Sequence, residues 1–500
     1  MFESPMKSIW WLPTFGFFLF LAIELWMFDH PDRVFEDPGV GRHLRTAEAI
    51  LETGQVPRTD PLSFTRAGAP WVDFEWGFEA TLGELYRAGG LPLVCAFCYA
   101  LFAATVLGVY RTLLQSGFSL SVVLIYTALA FLTLHLHFGA RPVLFTYLFL
   151  ALVVEVWFRH PHPRRRDFIL LPLVFVAWAN LHAGWLAALA FLALAITGRL
   201  LDRLRRRVDG DEAPLIPWAV LFLLCALATW FNPWGWKLHH QVIFVATSLK
   251  SSALWDEYLP PNFGTPTMSA ITVLILLGIV FLARLTKRAP LWRWEYFLPI
   301  FFFLYQGLKA QRHVLLLVEV AAVPVARDLE AVLHGKWWPY LRERLGDFQA
   351  RQRMAGGDAW LALVAALMLT VLFVRTPVAR EMHVGTKISG QLVAFLREHP
   401  DRFQRPLTTT WNAGPLLWAL RPDFRVSMDD RGDFYGDDAV FNFIHTTDGS
   451  AGWDEKLRKG NFDSLLLDPY LPINQLLKYQ PEWKLVWRDE HAAVYWRDAN

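Results

Sequence analysis

Eight stretches of this chain are its clearest apolar runs, 15 to 24 residues long, against the roughly 20 a helix needs to cross a lipid bilayer. They are Ile9–Phe28, Leu91–Leu114, Phe118–His137, Val143–Phe158, Trp185–Leu200, Pro214–Phe231, Ser269–Leu285 and Trp360–Val374. A backbone in hydrocarbon must satisfy its own hydrogen bonds, and runs of this length do so as helices. Three further runs are shorter or interrupted. Phe168–Asn180 stops at a polar WANLHAG, Trp294–Leu308 is strongly aromatic, and His313–Val325 contains Glu319 and Pro324. Together they predict a mainly α, polytopic membrane protein of about eleven spans.

Composition supports the same class. The 500 residues are 54% hydrophobic and only 19% charged, against roughly a quarter charged in soluble chains. Mean hydropathy of +0.28 leaves room for a water-exposed part. Disorder, a fibrous chain and a disulfide-stapled module are excluded. A net charge of +2 gives no pull towards nucleic acid. Of the three cysteines, Cys95 and Cys98 have CxxC spacing, but they and Cys225 sit in apolar runs. They read as small apolar side chains, not as a zinc or redox framework.

Basic clusters occur at Arg159–Arg166, Arg199–Arg207, Arg284–Arg293 and Arg327–Arg353. With eleven spans and a cytoplasmic N-terminus, all four face the cytoplasm, as the positive-inside rule asks. The C-terminus then lies outside. No small-residue cleavage site follows the first run before the charged segment, so it reads as an anchor and not a signal peptide. The expected division is a transmembrane part over 1–375, with a first outer loop over 29–90, and an outer α/β domain over 376–500. In that last stretch short apolar runs such as SLLLD, KLVWRD and AAVYWRD alternate with Gly, Pro and charge.

The outer loop carries two amphipathic patterns. Gly41–Thr53 puts Leu44, Ala47, Ile50 and Leu51 on one side, with Gly54 placed to end the helix. Val72–Arg87 puts Phe74, Phe78, Leu82 and Leu85 together. Both are too polar to span and are expected to lie along the outer membrane surface. The loop is rich in carboxylates, most of which read as a solvated acidic face. Asp37 differs, because it follows the first span directly and Pro38 and Gly39 hold it in a turn near the interface. A carboxylate fixed there can accept a proton from a hydroxyl.

The segment DPGVGRHLRTAEAILETGQVPRTDPLSFTRAGAPWVDFEW resembles the first outer loop of a group of bacterial proteins in the GT-C superfamily of integral membrane glycosyltransferases. Asp37, Pro38, His43, Leu44, Arg45 and Thr46 match that pattern, as do Gly54, Pro57, Thr59, Asp60, Pro61 and Ser63, and Pro70, Trp71, Glu75 and Trp76. Arg42 stands where the group has an aromatic, and Ala47 where it has glycine. RPVLFTYLFL from Arg141, WANLHAGW from Trp178, FNPWGW from Phe231, QRHVLLL from Gln311, and WNAGPLLW with SMDDRGDFYG follow in order, so the resemblance covers most of the chain.

The resemblance implies a polyprenyl-phosphate-linked sugar donor bound from the outer side, a glycan, lipid or protein acceptor, and Asp37 as base or orienting acid. It implies no cofactor, since the phosphate leaving group is already activated. A donor phosphate needs cations near the outer interface, where Arg141, Lys309, Arg312 and His313 fall. Their alternative role is snorkelling to headgroups, which suits Lys309 best. His43 and His182 are candidate binding residues, His182 because it sits in a polar break between two spans. Glu75 joins them through the matched motif, and Glu257, beside Asp256, as a candidate second acid. Asn232 and Pro233 read as a turn. The outer residues hold no HxxxH or DxD triplet, so no metal is expected. Asp429, Asp430 and Asp433 around Arg431 read as a salt-bridged turn.

Two other functions fit the same features. One is a non-catalytic scaffold or lipid-carrier binder of the same fold in envelope assembly. The other is a transporter, which the lack of an internal repeat disfavours.

Overall fold

The computed structural model describes residues 12–206, 215–247, 256–286, 292–333, 346, 348–352, 357–384 and 388–498. The start of the first apolar run, Pro214 and parts of the last three basic clusters lie outside these residues.

The apolar runs are helices: α1 (Phe15–Trp26), α4 (Leu120–Leu134), α5 (Val143–Arg159), α6 (Asp167–Leu181), α7 (Trp185–Arg206), α8 (Leu215–Ala228), α10 (Met268–Thr286), α11 (Trp294–Lys309) and the helix Asp358–Phe373. Among the described residues four helices are long and apolar enough to cross a membrane, namely Trp76–Gln115, Leu120–His137 with its 3-10 extension, Trp185–Arg205 and Met268–Thr286. The others are shorter, so the expected eleven spans are not all present as full-length helices. Large apolar side chains such as Ile216, Phe281 and Leu363 project from α8, α10 and Asp358–Phe373 with no protein over them. A surface of that kind is suited to lipid and not to water.

Three elements differ from the sequence expectation. The run His313–Val325 is not one helix. α12 (Val314–Val320) ends at Ala321 and α13 (Ala322–Leu333) begins afresh. Pro324 explains the break, since its ring opposes the carbonyl four residues back and it has no N–H to donate. The second amphipathic helix begins at Trp76 and merges into the following span as α3 (Trp76–Gln115), bent at Gly89 and Gly90. Gly90 has φ +65°, a left-handed conformation that favours glycine. A helix that no apolar run announces, α9 (Trp236–Thr247), follows FNPWGW.

The first surface helix, α2 (Gly39–Thr53), ends where expected. Gly54 is left-handed, and its N–H donates to the Ile50 carbonyl at 2.8 Å. It does not lie open on a membrane surface, however. It is sandwiched between α3 and the C-terminal helix Thr410–Ala419, with Val40, Leu44 and Ala47 fully buried. The C-terminal part folds round a mixed sheet of β1 (Pro406–Thr408), β2 (Ser464–Leu467), β3 (Trp483–Arg488) and β4 (Ala493–Arg497), in the order β1-β2-β4-β3. β1 and β2 are parallel and the other pairs antiparallel. Leu465, Leu467, Ile473 and Leu477 form one core of this unit. It meets the outer loop through the helix packing on α2 and a bridge between Ser63 and Val426.

Candidate active site

A cleft of about 670 Å³ opens where the outer loop, the ends of the apolar helices and the C-terminal unit meet. It brings together residues from positions 33 to 433 of the chain. Asp37, His43, Glu75, Arg141, His182, Glu257 and Arg312 all line it. His313 does not. Its Nδ1 lies 3.2 Å from the Gln306 carbonyl, behind the wall.

One pole of the cleft is built on arginine. Pro38 starts the turn into α2, and the Gly39 N–H donates to Asp37 Oδ1 at 2.7 Å, which fixes that carboxylate at the helix mouth. Asp37 Oδ2 accepts from Nε of Arg141, at the head of α5, and is ion-paired with Nη2 of the same guanidinium. Nη1 of the same guanidinium donates to Glu257 at 2.8 Å. Arg312 donates to the other Glu257 oxygen at 3.0 Å and lies 4.4 Å from the centre of the Tyr258 ring. His137 completes the set, 3.3 Å from Glu257. Burial alone raises a carboxyl, but Arg312, His137 and Arg141 outweigh it here and hold Glu257 well below the usual range. A guanidinium has five N–H donors. Arg141 commits two of them to Asp37 and Glu257, and an anion in the cleft can take others.

His182 stands between the poles, in the break between α6 and α7. Its Nδ1 accepts the Gly184 N–H at 3.1 Å and lies 2.7 Å from Thr146 Oγ1, which itself accepts from Trp178 Nε1 at 2.9 Å. Nδ1 is thus an acceptor and the ring proton belongs on Nε2. Burial, then Arg312, push His182 down to about 3. The ring is therefore a neutral donor.

The opposite pole is carboxyl-rich. Burial pushes Glu75 up to about 8, with Arg42 pulling the other way, so Glu75 carries a proton at neutral pH. Burial also raises Asp73 and Asp433. Arg42, the residue that departs from the family pattern, sits at the centre. It donates to Asp430 at 2.7 and 3.1 Å, to Glu79 at 3.0 Å, and lies 3.6 Å from Glu75. His43 turns its Nδ1 to Glu79 at 3.0 Å, and burial followed by Arg42 pushes it well below its ordinary value. His43 thus belongs to this buried network as well as to the cleft wall.

The turn Asp429–Asp433 is salt-bridged as expected, with Arg431 paired to Asp429 at 2.6 Å and to Asp60 at 2.7 Å. Its position on the cleft wall is the part that sequence reasoning missed. Arg42 gave a signal in being charged where an aromatic is usual, whereas Asp430 gave none. Among the described residues no cluster of His, Cys, Asp and Glu is arranged to hold a metal ion.

No family model and no curated protein matches the sequence. Comparison with solved structures finds a likeness of fold. The oligosaccharyltransferase of Archaeoglobus fulgidus, in the apo form, is 12% identical with a TM-score of 0.53, over 93% of this chain and 70% of that one. ArnT from Cupriavidus metallidurans gives TM-scores of 0.49 in the apo state and 0.46 bound to undecaprenyl phosphate, at 12% and 13% identity. Each comparison covers 96% of this chain and 97% of ArnT. The likeness to the oligosaccharyltransferase makes the fold GT-C-like, and at 12% identity it extends to the fold alone.

Proposed function

We propose that this chain is an integral membrane glycosyltransferase that moves a sugar from a polyprenyl-phosphate-linked donor to an envelope glycan, lipid or protein. The observation that carries this reading is the joining of Asp37 to Arg141 at the rim of a cleft large enough for a sugar phosphate. Asp37 takes the proton of the acceptor hydroxyl as its oxygen attacks the anomeric carbon. The bond from that carbon to the phosphate oxygen breaks, and the polyprenyl phosphate leaves with the electron pair. Arg141 and Arg312 bind the phosphate and stabilise the charge that grows on it. Glu257 holds the two guanidiniums in place, and His182 offers its Nε2–H to a ligand oxygen. Glu75, protonated at neutral pH, can donate to a sugar hydroxyl at the other pole.

The same reading orients the protein with its N-terminus in the cytoplasm and the C-terminal domain, 376–500, outside the inner membrane of a bacterium. The lipid tail then enters between short apolar helices while the phosphate stays at the interface. Cryo-EM of the protein reconstituted with a polyprenyl phosphate tests the site. Phosphate density between Arg141 and Arg312, within reach of Asp37, is expected. Lipid bound elsewhere with the cleft vacant would sink the proposal.

A further inference from the structure

Asp37 sits at the mouth of α2, and contacts from the far end of the chain determine where that mouth lies. The helix Thr410–Ala419 packs on α2 backbone to backbone. A Cβ at Gly414 would collide with the Pro38 carbonyl, and one at Gly41 with the Gly414 carbonyl. Asp430 closes the same end. Its two oxygens accept from Nε and Nη2 of Arg42. Its Oδ2 lies 2.6 Å from where a Gly39 Cβ would be, and Asp37 Oδ1 lies 2.9 Å from the same point. The two carboxylates, both on the cleft wall, therefore flank a single buried glycine.

Asp430 is itself held from behind. Arg431 is locked to Asp429 and Asp60, and Asp433 accepts from Gln241 of α9 at 2.9 Å. Arg42 passes the restraint inward, because it also donates to Glu79 of α3. A bidentate Arg–carboxylate pair fixes orientation as well as distance. Arg42 sits one turn into α2, and its grip therefore sets the helix's rotation and with it the direction of Asp37.

We infer that Asp430 is a positioning residue for the Asp37 carboxylate, acting through Arg42 and the first turn of α2. The C-terminal unit then supplies part of the cleft's catalytic geometry. The catalytic consequence rests on the transferase reading, whereas the geometric one does not. The experiment therefore has independent arms on the full-length protein in nanodiscs. Amide exchange over residues 39–46 is compared in wild type, Asp430→Asn, Arg42→Gln and the double variant. Turnover of a polyprenyl-phosphate-linked sugar and binding of polyprenyl phosphate alone are measured on the same proteins.

In Asp430→Asn, exchange over this first part of α2 rises about tenfold while the rest of α2 is unchanged. kcat falls about tenfold or more, with KM and polyprenyl phosphate affinity changed less than about threefold. The double variant falls no further than Arg42→Gln alone, since both act through one link. Unchanged exchange at 39–46, or losses that multiply in the double variant, overturn the inference. A wild type that binds polyprenyl phosphate but turns nothing over defeats the transferase reading instead, and the exchange arm still decides on positioning.

Discussion

Glu75 gives the account a prediction in stability as well as in chemistry. Its carboxyl lies on the cleft wall with about a fifth of the side chain exposed, near Arg42 but also near Asp73, Asp430 and Asp433. Burial moves it from an ordinary value of 4.5 up to about 8. Between those two values the folded protein keeps a proton that the unfolded chain has released. Folding stability falls with pH wherever the native state binds the extra proton. This group's favourable share is therefore complete below about pH 4.5 and is lost as pH rises through about 8. Each pH unit in the window costs about 1.4 kcal/mol, so the ceiling is about 5 kcal/mol. Partial exposure and the interplay with neighbouring carboxyls reduce it, and about 2 kcal/mol is the working figure.

Glu75→Gln keeps the shape and a donor but has no proton to lose. Thermal unfolding of the purified protein in detergent, followed by intrinsic fluorescence from pH 6 to 9, reads the effect. Wild type loses stability across this range and Glu75→Gln loses less, so the variant gains on wild type as pH rises. Equal pH slopes for the two proteins would refute the reasoning that Glu75 is a buried neutral acid.

Further outcomes follow from the geometry. Arg312→Met removes one charge-assisted partner of a phosphate, worth roughly 1.5–3 kcal/mol, and weakens polyprenyl phosphate binding about tenfold to a hundredfold in a titration. Gly414→Val drives a side chain into the Pro38 carbonyl and destabilises the protein by about 1–3 kcal/mol, seen as a lower melting temperature.

How much of this was legible in the sequence depended on whether the signal was local. The apolar runs announce their helices because length and hydropathy are properties of a segment. Gly54 announces the end of α2, where a left-handed residue is required. The break at Ala321 was foreshadowed by Pro324, but a proline can kink a helix or end it, and only packing decides. α9 was missed because Lys237, His239, His240 and Gln241 keep it below the apolarity of a span. At the cleft, Asp37, Arg141, His182 and Arg312 stand out as polar groups near the edges of apolar segments, and Glu257 as half of an acidic pair with Asp256. Asp430 meets Arg42 across 388 residues, and no local pattern encodes such a pairing. The sandwiching of α2 is of the same kind, since the cover on its outer side comes from the chain's other end.

The most direct test of the proposed chemistry is turnover by the reconstituted protein, given a radiolabelled polyprenyl-phosphate-linked sugar and bacterial envelope acceptors. Wild type should release polyprenyl phosphate and move label to an acceptor. Asp37→Asn should bind polyprenyl phosphate at least as well while transfer falls about a hundredfold or more, the range for losing a positioned base. Transfer by Asp37→Asn at the wild-type rate would contradict the account.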